Sequence, residues 1–541
     1  MTPDTQMNMF RQPVALRPSS GSTNLSYVYV PVDLCASWRV LQGERTDELS
    51  LEGLTQLGGA VKLDWCTVTL PQSLRILTFG SDFNESLDQV NLPVGLKNLT
   101  FGFYFNQSLA SANLPSGLED LTFGGSFNQS LEGVRLPSSL KSLTLGPMFS
   151  HSLRGVLWPN TLKSLILRSA FRQSLDGVDL PRGLKHLFLG GSFNHSWEQL
   201  TLPELETLTF GAAFNQSLCH VNLPSLQSWT FGDGFNQPLD KIDLKKLSRL
   251  QTLSFGHAFN QSLDDVNLPN HLRHLSLGED FGSLQRVVLP PSLQTLECTA
   301  RSVEGVHLPG LQNLSLWEAS NLELVNLPAG LKSLSLDGEI LSGLDFLPSG
   351  LENLTFGDDF NQSLDDINLP RSLLKLALGD SFNQSLDRVQ WPSGLRSLTF
   401  GWTFHSSLEE VNLPDSLHSL TFGSQFNQSL QKLRWPAELQ SLTFGSSFNR
   451  SLRGVNLPSD LRSLSFGWDF NQSLEATVLP ESLTRLTFGY NFQQSLAKVK
   501  LPSGLEALTF EGNYDIRQLD LKLKDLRYLV SSNCFVSSAP C

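Results

Sequence analysis

With 541 residues, of which 40% are hydrophobic and 17% charged, the chain has the composition of a folded protein and not of a disordered one. A net charge of −13, with no Lys/Arg block to reverse it locally, argues against a general role on nucleic acid or anionic membrane. No stretch approaches the roughly eighteen apolar residues of a membrane span, and Cys35, Cys66, Cys219, Cys298, Cys534 and Cys541 follow neither a disulfide nor a zinc spacing.

In chain order, residues 1–25, with Pro13, Pro18, Ser19 and Ser20, read as a disordered N-terminus. The start lacks a basic stretch followed by an apolar run, so no secretory signal is expected. Together with the scattered cysteines this points to a cytoplasmic protein, with the nucleus also open. Residues 26–69 read as an irregular cap, opening on Tyr27, Val28, Tyr29 and Val30 and continuing through Leu51, Leu54 and Leu57. Stacked repeats need such a cap, because an open first coil exposes apolar side chains and unpaired strand edges.

From residue 70 to 510 one phrase recurs about every twenty-two residues, and Leu114-Pro115-Ser116-Gly117-Leu118-Glu119-Asp120-Leu121-Thr122-Phe123-Gly124-Gly125-Ser126-Phe127-Asn128-Gln129-Ser130-Leu131 is a clean copy. A fixed period of this length predicts stacked coils, each burying its apolar edge against its neighbours. Leu121 and Phe123 flank Thr122 in the alternation of a short strand. Gly124 is expected to end that strand where the turn needs unusual backbone angles. A second, looser extended run is expected over Leu131, Val134 and Leu136, stopped by Pro137, which has no amide hydrogen to give a ladder. Stacking then aligns Phe101, Phe123, Phe210, Phe231, Phe255 and Phe400 in one column and the series from Phe83 to Phe193 in another. The Asn column (Asn84, Asn106, Asn128, Asn194, Asn215, Asn236, Asn260) is placed to bond turn backbone and the amide of the next coil. The Gln that follows, as at Gln428, is expected to point to solvent. Ser150, Arg172, His405 and Gln493 interrupt the Asn column, so it should lie at a corner within reach of water. The Asn-x-Ser triplets fall at one fixed phase and therefore read as architecture, not as glycan acceptors.

Over residues 282–359 the rhythm tightens, with Pro290, Pro309, Pro328 and Pro348 about nineteen to twenty apart and the Phe-Asn-Gln-Ser corner missing. Residues 511–541, with Asp515, Lys522, Lys524, Asp525 and Arg527, read as a C-terminal cap.

The phrase Leu-Pro-x-x-Leu-x-x-Leu-x-Phe-Gly-x-x-Phe-Asn-Gln-Ser-Leu resembles the FNIP repeat, a relative of the leucine-rich repeat, from about Leu70 to Leu508. Ser stands where such arrays typically carry Pro, which only Asn236-Gln237-Pro238-Leu239 keeps. The resemblance implies a mainly β, leucine-rich-repeat-like solenoid of about twenty coils with short parallel strands, used for protein interactions. In some members an F-box precedes the repeats and recruits a ubiquitin ligase. Here Cys35-Ala36-Ser37-Trp38 resembles the Cys-x-x-Trp end of an F-box, behind a stretch containing Pro and Ser.

Two charged columns are expected on the coils. Lys97, Glu119, Lys141, Lys163, Lys185, Arg273 and Lys332 lie just before the strand, and with neighbouring Thr and Ser they mark the favoured partner-binding face. Asp88, Glu132, Asp176, Glu198, Asp264, Asp365, Asp387 and Glu409 form an acidic column across the coil. No catalytic constellation stands out. The Ser column (Ser86, Ser108, Ser130, Ser152) has no paired base, His271 and His274 have no completing ligands, and no glycine leads into a phosphate loop. The sequence therefore reads as a non-catalytic protein-interaction scaffold with no cofactor and a protein partner of unknown identity. Two alternatives stand beside it: a substrate receptor of a ubiquitin ligase, and an ice-binding surface built on rows such as Ser142-Leu143-Thr144.

Overall fold

In each coil the apolar spacing leaves little choice of backbone. Leu118, Leu121 and Phe123 are 0%, 0% and 2% exposed, while Asp120 and Thr122 stand half-exposed on the other side. That alternation makes Asp120–Thr122 a three-residue strand with one face inward. It pairs in parallel with Asn98–Thr100 before it and Ser142–Leu145 after it, and Leu121 falls opposite Leu99 and Leu143. A slip of one residue would turn every leucine outward, so the register is fixed by burial.

The computed structural model describes residues 48–50, 70, 72–514, 528–531 and 534–536, except for 89, 197–200, 219–220, 241, 309, 320–321, 341–343, 345–346 and 366. The expected disordered N-terminus, most of the N-terminal cap, the Cys35–Trp38 fragment and the charged residues from Asp515 to Arg527 lie outside the described residues. The described strands fall into two compact units, one within Asn24–Leu331 and one within Lys332–Cys541.

In the first unit every described strand from Glu48–Ser50 to Asn313–Trp317 joins one parallel ladder, each paired with the strand of the next coil. The second unit repeats this from Ser333–Leu336 to Tyr528–Ser531 and ends on an antiparallel pair between Tyr528–Ser531 and Cys534–Val536. The expected parallel solenoid of short strands is therefore the observed fold. No helix of the described residues is long and apolar enough to cross a membrane.

Phenylalanine rings fill the coil. Phe123 and Phe127 stack at 3.9 Å within one coil, and Phe101–Phe123 and Phe105–Phe127 stack at 5.3 and 6.1 Å between coils. The second unit does the same, with Phe422–Phe426 at 4.0 Å and Phe426–Phe448 at 6.2 Å.

Two expectations about the coil need correction. The segment after Leu131 is not a second extended run: it is a chain of tight turns, with Val134 N–H donating to Leu131 O and Leu140 N–H to Pro137 O, both at 3.1 Å. Its inward residues, Leu131, Val134, Pro137 and Leu140, recur every third position instead of every second, and Leu136 is only half-buried. The glycine after the strand is also required for another reason. Gly124 does not adopt positive φ; a Cβ there would lie 2.1 Å from Gly102 O, and one at Gly423 would lie 1.5 Å from Gly401 O. Close approach of successive backbones, not turn geometry, excludes a side chain.

Spacing varies along the ladders. In the first unit Leu275, Leu296 and Leu314 pair at separations of 21 and 18 residues. There the phenylalanine of the strand gives way to buried Cys298, and a short 3-10 turn, Ala300–Val303, follows. Thr299 Oγ1 and Ser302 Oγ bond each other at 2.7 Å, and Ser302 donates to Phe281 O at 3.0 Å. Burial, with the Glu297 charge beside it, pushes the Cys298 thiol up to about 12.

Candidate functional site on the strand face

The residue just before each strand is held from both sides of its peptide. Lys97 O accepts from Glu119 N–H at 2.8 Å and Asp120 N–H at 3.0 Å, and Glu119 O accepts in the same way from Lys141 and Ser142. This double bond from coil to coil lines up the side chains of the expected partner face.

Lys97, Glu119 and Lys141 form one cluster. Lys97 Nζ reaches Glu119 Oε1 at 2.7 Å, and Lys141 bonds the other carboxylate oxygen. Hydrogen bonds from Lys141 and then Lys97 hold the Glu119 carboxyl down at about 2. Beside it Asn98 Nδ2 donates to Asp120 Oδ2 at 2.8 Å. Burial, then the Glu119 charge, raises the Asp120 carboxyl. Two coils on, Lys163 lies 3.7 Å from Glu204 and donates to Gly183 O at 3.0 Å, while Lys185 meets Glu206 at 2.6 Å. That last contact raises Lys185 and lowers Glu206.

The remaining two residues of the expected set take no part in these ion pairs. Arg273 is exposed, and its carbonyl accepts from Gln294 and Thr295 at 2.9 Å. Lys332 belongs to the second unit and pairs with Glu352 at 2.7 Å. The structure thus groups Lys97, Glu119 and Lys141 by ion pairs, and the coil-to-coil hydrogen bonds carry their column on through Lys163 and Lys185 to Arg273, while Lys332 belongs to the second unit.

The corner columns have structural duties. Asn84 Oδ1 accepts from Asn106 N–H at 2.8 Å, Asn106 Oδ1 from Asn128 N–H at 2.9 Å, and Asn427 Oδ1 from Asn449 N–H at 3.0 Å. The Gln beside it does not point to solvent. Gln107 Nε2 donates to Asn84 O at 3.0 Å and Gln428 Nε2 to His405 O at 2.7 Å, because the freed carbonyl of the previous corner is within reach of the longer amide. The serine column caps its own turn: Ser86, Ser108 and Ser130 Oγ accept from the N–H two residues on, at 3.2, 3.2 and 3.1 Å. This bond does locally what a proline's fixed φ would do.

Two features were missed from the sequence. Exposed aromatics follow the strand glycine, with Phe103, Tyr104, Trp402 and Trp468 all more than half exposed. A three-residue clamp also occupies that position, with His257 Nδ1 2.8 Å from Asp233 and Nε2 3.1 Å from Glu279. The signal was the residue after each Gly, which varies while its neighbours do not. His274 Nε2 lies 4.0 Å from Glu297, and among the described residues no three His, Cys, Asp or Glu are grouped to hold a metal ion.

A parallel ladder of three- to five-residue strands, an apolar edge turned inward and a mixed polar face turned outward define a leucine-rich-repeat-like solenoid. The model of the FNIP repeat matches residues 67–102, 83–126, 127–169, 171–213, 248–280, 259–297, 343–381, 382–425, 426–469 and 470–513. The chain belongs to the FNIP repeat family. Among solved structures it is similar to CroV588, described as a novel circular LRR protein, at 34% identity and a TM-score of 0.53, over 82% of this chain and 76% of that one. It also resembles TLR13, solved in a complex with ssRNA13, at 17% identity and a TM-score of 0.50, over 82% of this chain and 71% of that one. The second likeness is one of fold. No curated protein gives a significant match.

Proposed function

We propose that this chain is a non-catalytic protein-interaction scaffold and that its partner docks on the strand face of the first unit, across Lys97, Glu119, Lys141, Lys163 and Lys185. The observation that carries this reading is the ion-paired cluster at the head of this charged ribbon. Lys97–Glu119–Lys141 is a fixed arrangement of cation, anion and cation at the spacing of the coils. Interfaces gain selectivity and encounter rate from such complementary patterns more than they gain affinity. Affinity would come from the exposed rings of Phe103 and Tyr104, packed edge to face at 5.0 Å in the coil of Lys97. Charged side chains beside the Ser/Thr rows favour a protein partner over ice, whose lattice has no counterpart for them. The setting is a reducing one, cytoplasm or nucleus, supported by the scattered cysteines and by Cys298 as a buried free thiol.

Affinity capture with the full chain from cell extract, followed by cross-linking, tests this. A reproducible partner should cross-link through Lys97, Lys141, Lys163 or Lys185. Lys97→Glu with Lys141→Glu should reduce capture about tenfold with the thermal unfolding curve unchanged. Capture indifferent to both charge reversals, with cross-links confined to other faces, would overturn the assignment.

A further inference from the structure

In the unit that begins at Lys332, the position after the strand glycine reads Trp402, Ser424, Ser446, Trp468 and Tyr490 on successive coils. Trp468 is 52% and Tyr490 43% exposed, and their rings stack at 4.5 Å and 14°. Tyr490 covers one face of the indole. The preceding coil carries Ser446 at this position, which offers no second ring to stack on the indole.

The platform is rigid. Asp469 N–H donates to Ser446 O at 2.8 Å and Asn491 N–H to Trp468 O at 2.9 Å, so both turns are pinned to their neighbours. The residues that follow the two rings in the chain, Asp469 and Asn491, line a groove of about 660 Å³ together with Asn427, Ser447, Asn449 and Asn471. Its chemistry is narrow: amides, one hydroxyl, one carboxylate and no cation. Asn427, Asn449 and Asn471 each spend Oδ1 on the amide of the next coil, at 3.0, 3.0 and 2.9 Å. That contact fixes the plane of each amide and leaves three Nδ2 donors in a row, none of them bonded to a protein atom. Asn491 Nδ2 occupies one oxygen of Asp469 at 3.0 Å, and the other remains an acceptor.

An aromatic face for C–H groups, beside donors and acceptors set at the coil spacing, matches a ring that is apolar on its face and hydroxylated at its rim. The lack of a cation, with Asp469 present, disfavours anionic ligands, and the polar lining disfavours a greasy one. We propose that this groove binds a neutral oligosaccharide, with one sugar ring on Trp468 and its hydroxyls on Asp469 and the Asn427–Asn449–Asn471 row. The site belongs to the second unit, and the proposal does not depend on the protein-binding ribbon proposed for the first.

Titration of the full chain with maltohexaose, cellohexaose, chitohexaose and mannohexaose, read by tryptophan fluorescence and calorimetry, tests the site. At least one should bind saturably and shift the emission. Trp468→Ala and Asp469→Ala should each weaken it about tenfold or more with the unfolding transition unchanged, and Trp402→Ala, three coils away, should leave it as it is. No saturable binding by any of the four, or binding that survives Trp468→Ala, would overturn the proposal. So would a captured protein that protects Trp468 while no sugar competes.

Discussion

The side-chain oxygen of Asn449 accepts from Asn471 N–H and from Gln472 Nε2, both at 3.0 Å. Asn449→Ala therefore strips the acceptor from the coil after it, and a half-buried amide left unpaired costs about 1–3 kcal/mol. Urea denaturation should show that loss, and Asn449→Asp, which keeps an oxygen in place, should recover most of it above the carboxylate range. Gln428→Ala removes one bond to an exposed corner carbonyl and should cost about 1 kcal/mol, more than a free surface side chain would. The carboxyl of Glu119 gives a pH test. Its folded value of about 2 lies below the ordinary 4.5, so its contribution is present above pH 4.5 and is lost as the pH falls toward 2. Solvent screens this exposed cluster, so the readout is the titration itself. Lys141→Gln should move the Glu119 midpoint upward in an NMR titration; an unchanged midpoint would mean that Lys141 does not hold it.

At the scale of the coil, the strand was legible because apolar alternation over Leu118, Leu121 and Phe123 has a single inward solution. The return path was not. Leu131, Val134 and Pro137 keep a three-residue period that suits consecutive turns, and the buried proline ring is part of that inward set as well as a break in any ladder. Glycine illustrates the same gap: its recurrence was visible, but its cause lies in the coil before it. Gly423→Ala would set a methyl carbon 1.5 Å from Gly401 O, so the two coils must separate locally, with a loss of about 1–3 kcal/mol in denaturant unfolding. The clamp on His257 also joins coils. Its contact with Asp233, and then the charge of Glu279, raises the imidazole above its ordinary 6.5. Its contribution is therefore complete below that value and lost as the pH rises through the raised one. Asp233→Asn should bring the His257 midpoint down toward 6.5 by NMR, and a midpoint that stays put would contradict the clamp.

Over the whole molecule, the array was plain in the sequence because a repeat writes its own contacts: like residues must stack on like. The partner face was legible only in part. Lys97, Glu119 and Lys141 do meet, whereas Arg273 and Lys332 share their phase in the repeat but not their surroundings. The platform at Trp468 was hidden because its residues fall at a variable position, where a single sequence gives no pattern to read. The central claim is that each coil is held by its two neighbours. Phe426 is 0% exposed and stacks on Phe404, Phe422 and Phe448. Phe426→Ala should cost about 3–5 kcal/mol where it lies. Hydrogen exchange read coil by coil measures this directly: protection should fall around residues 404–448 and stay intact in the coils from Ile76 to Leu253. Uniform loss of protection along the chain would contradict the stacked-coil account.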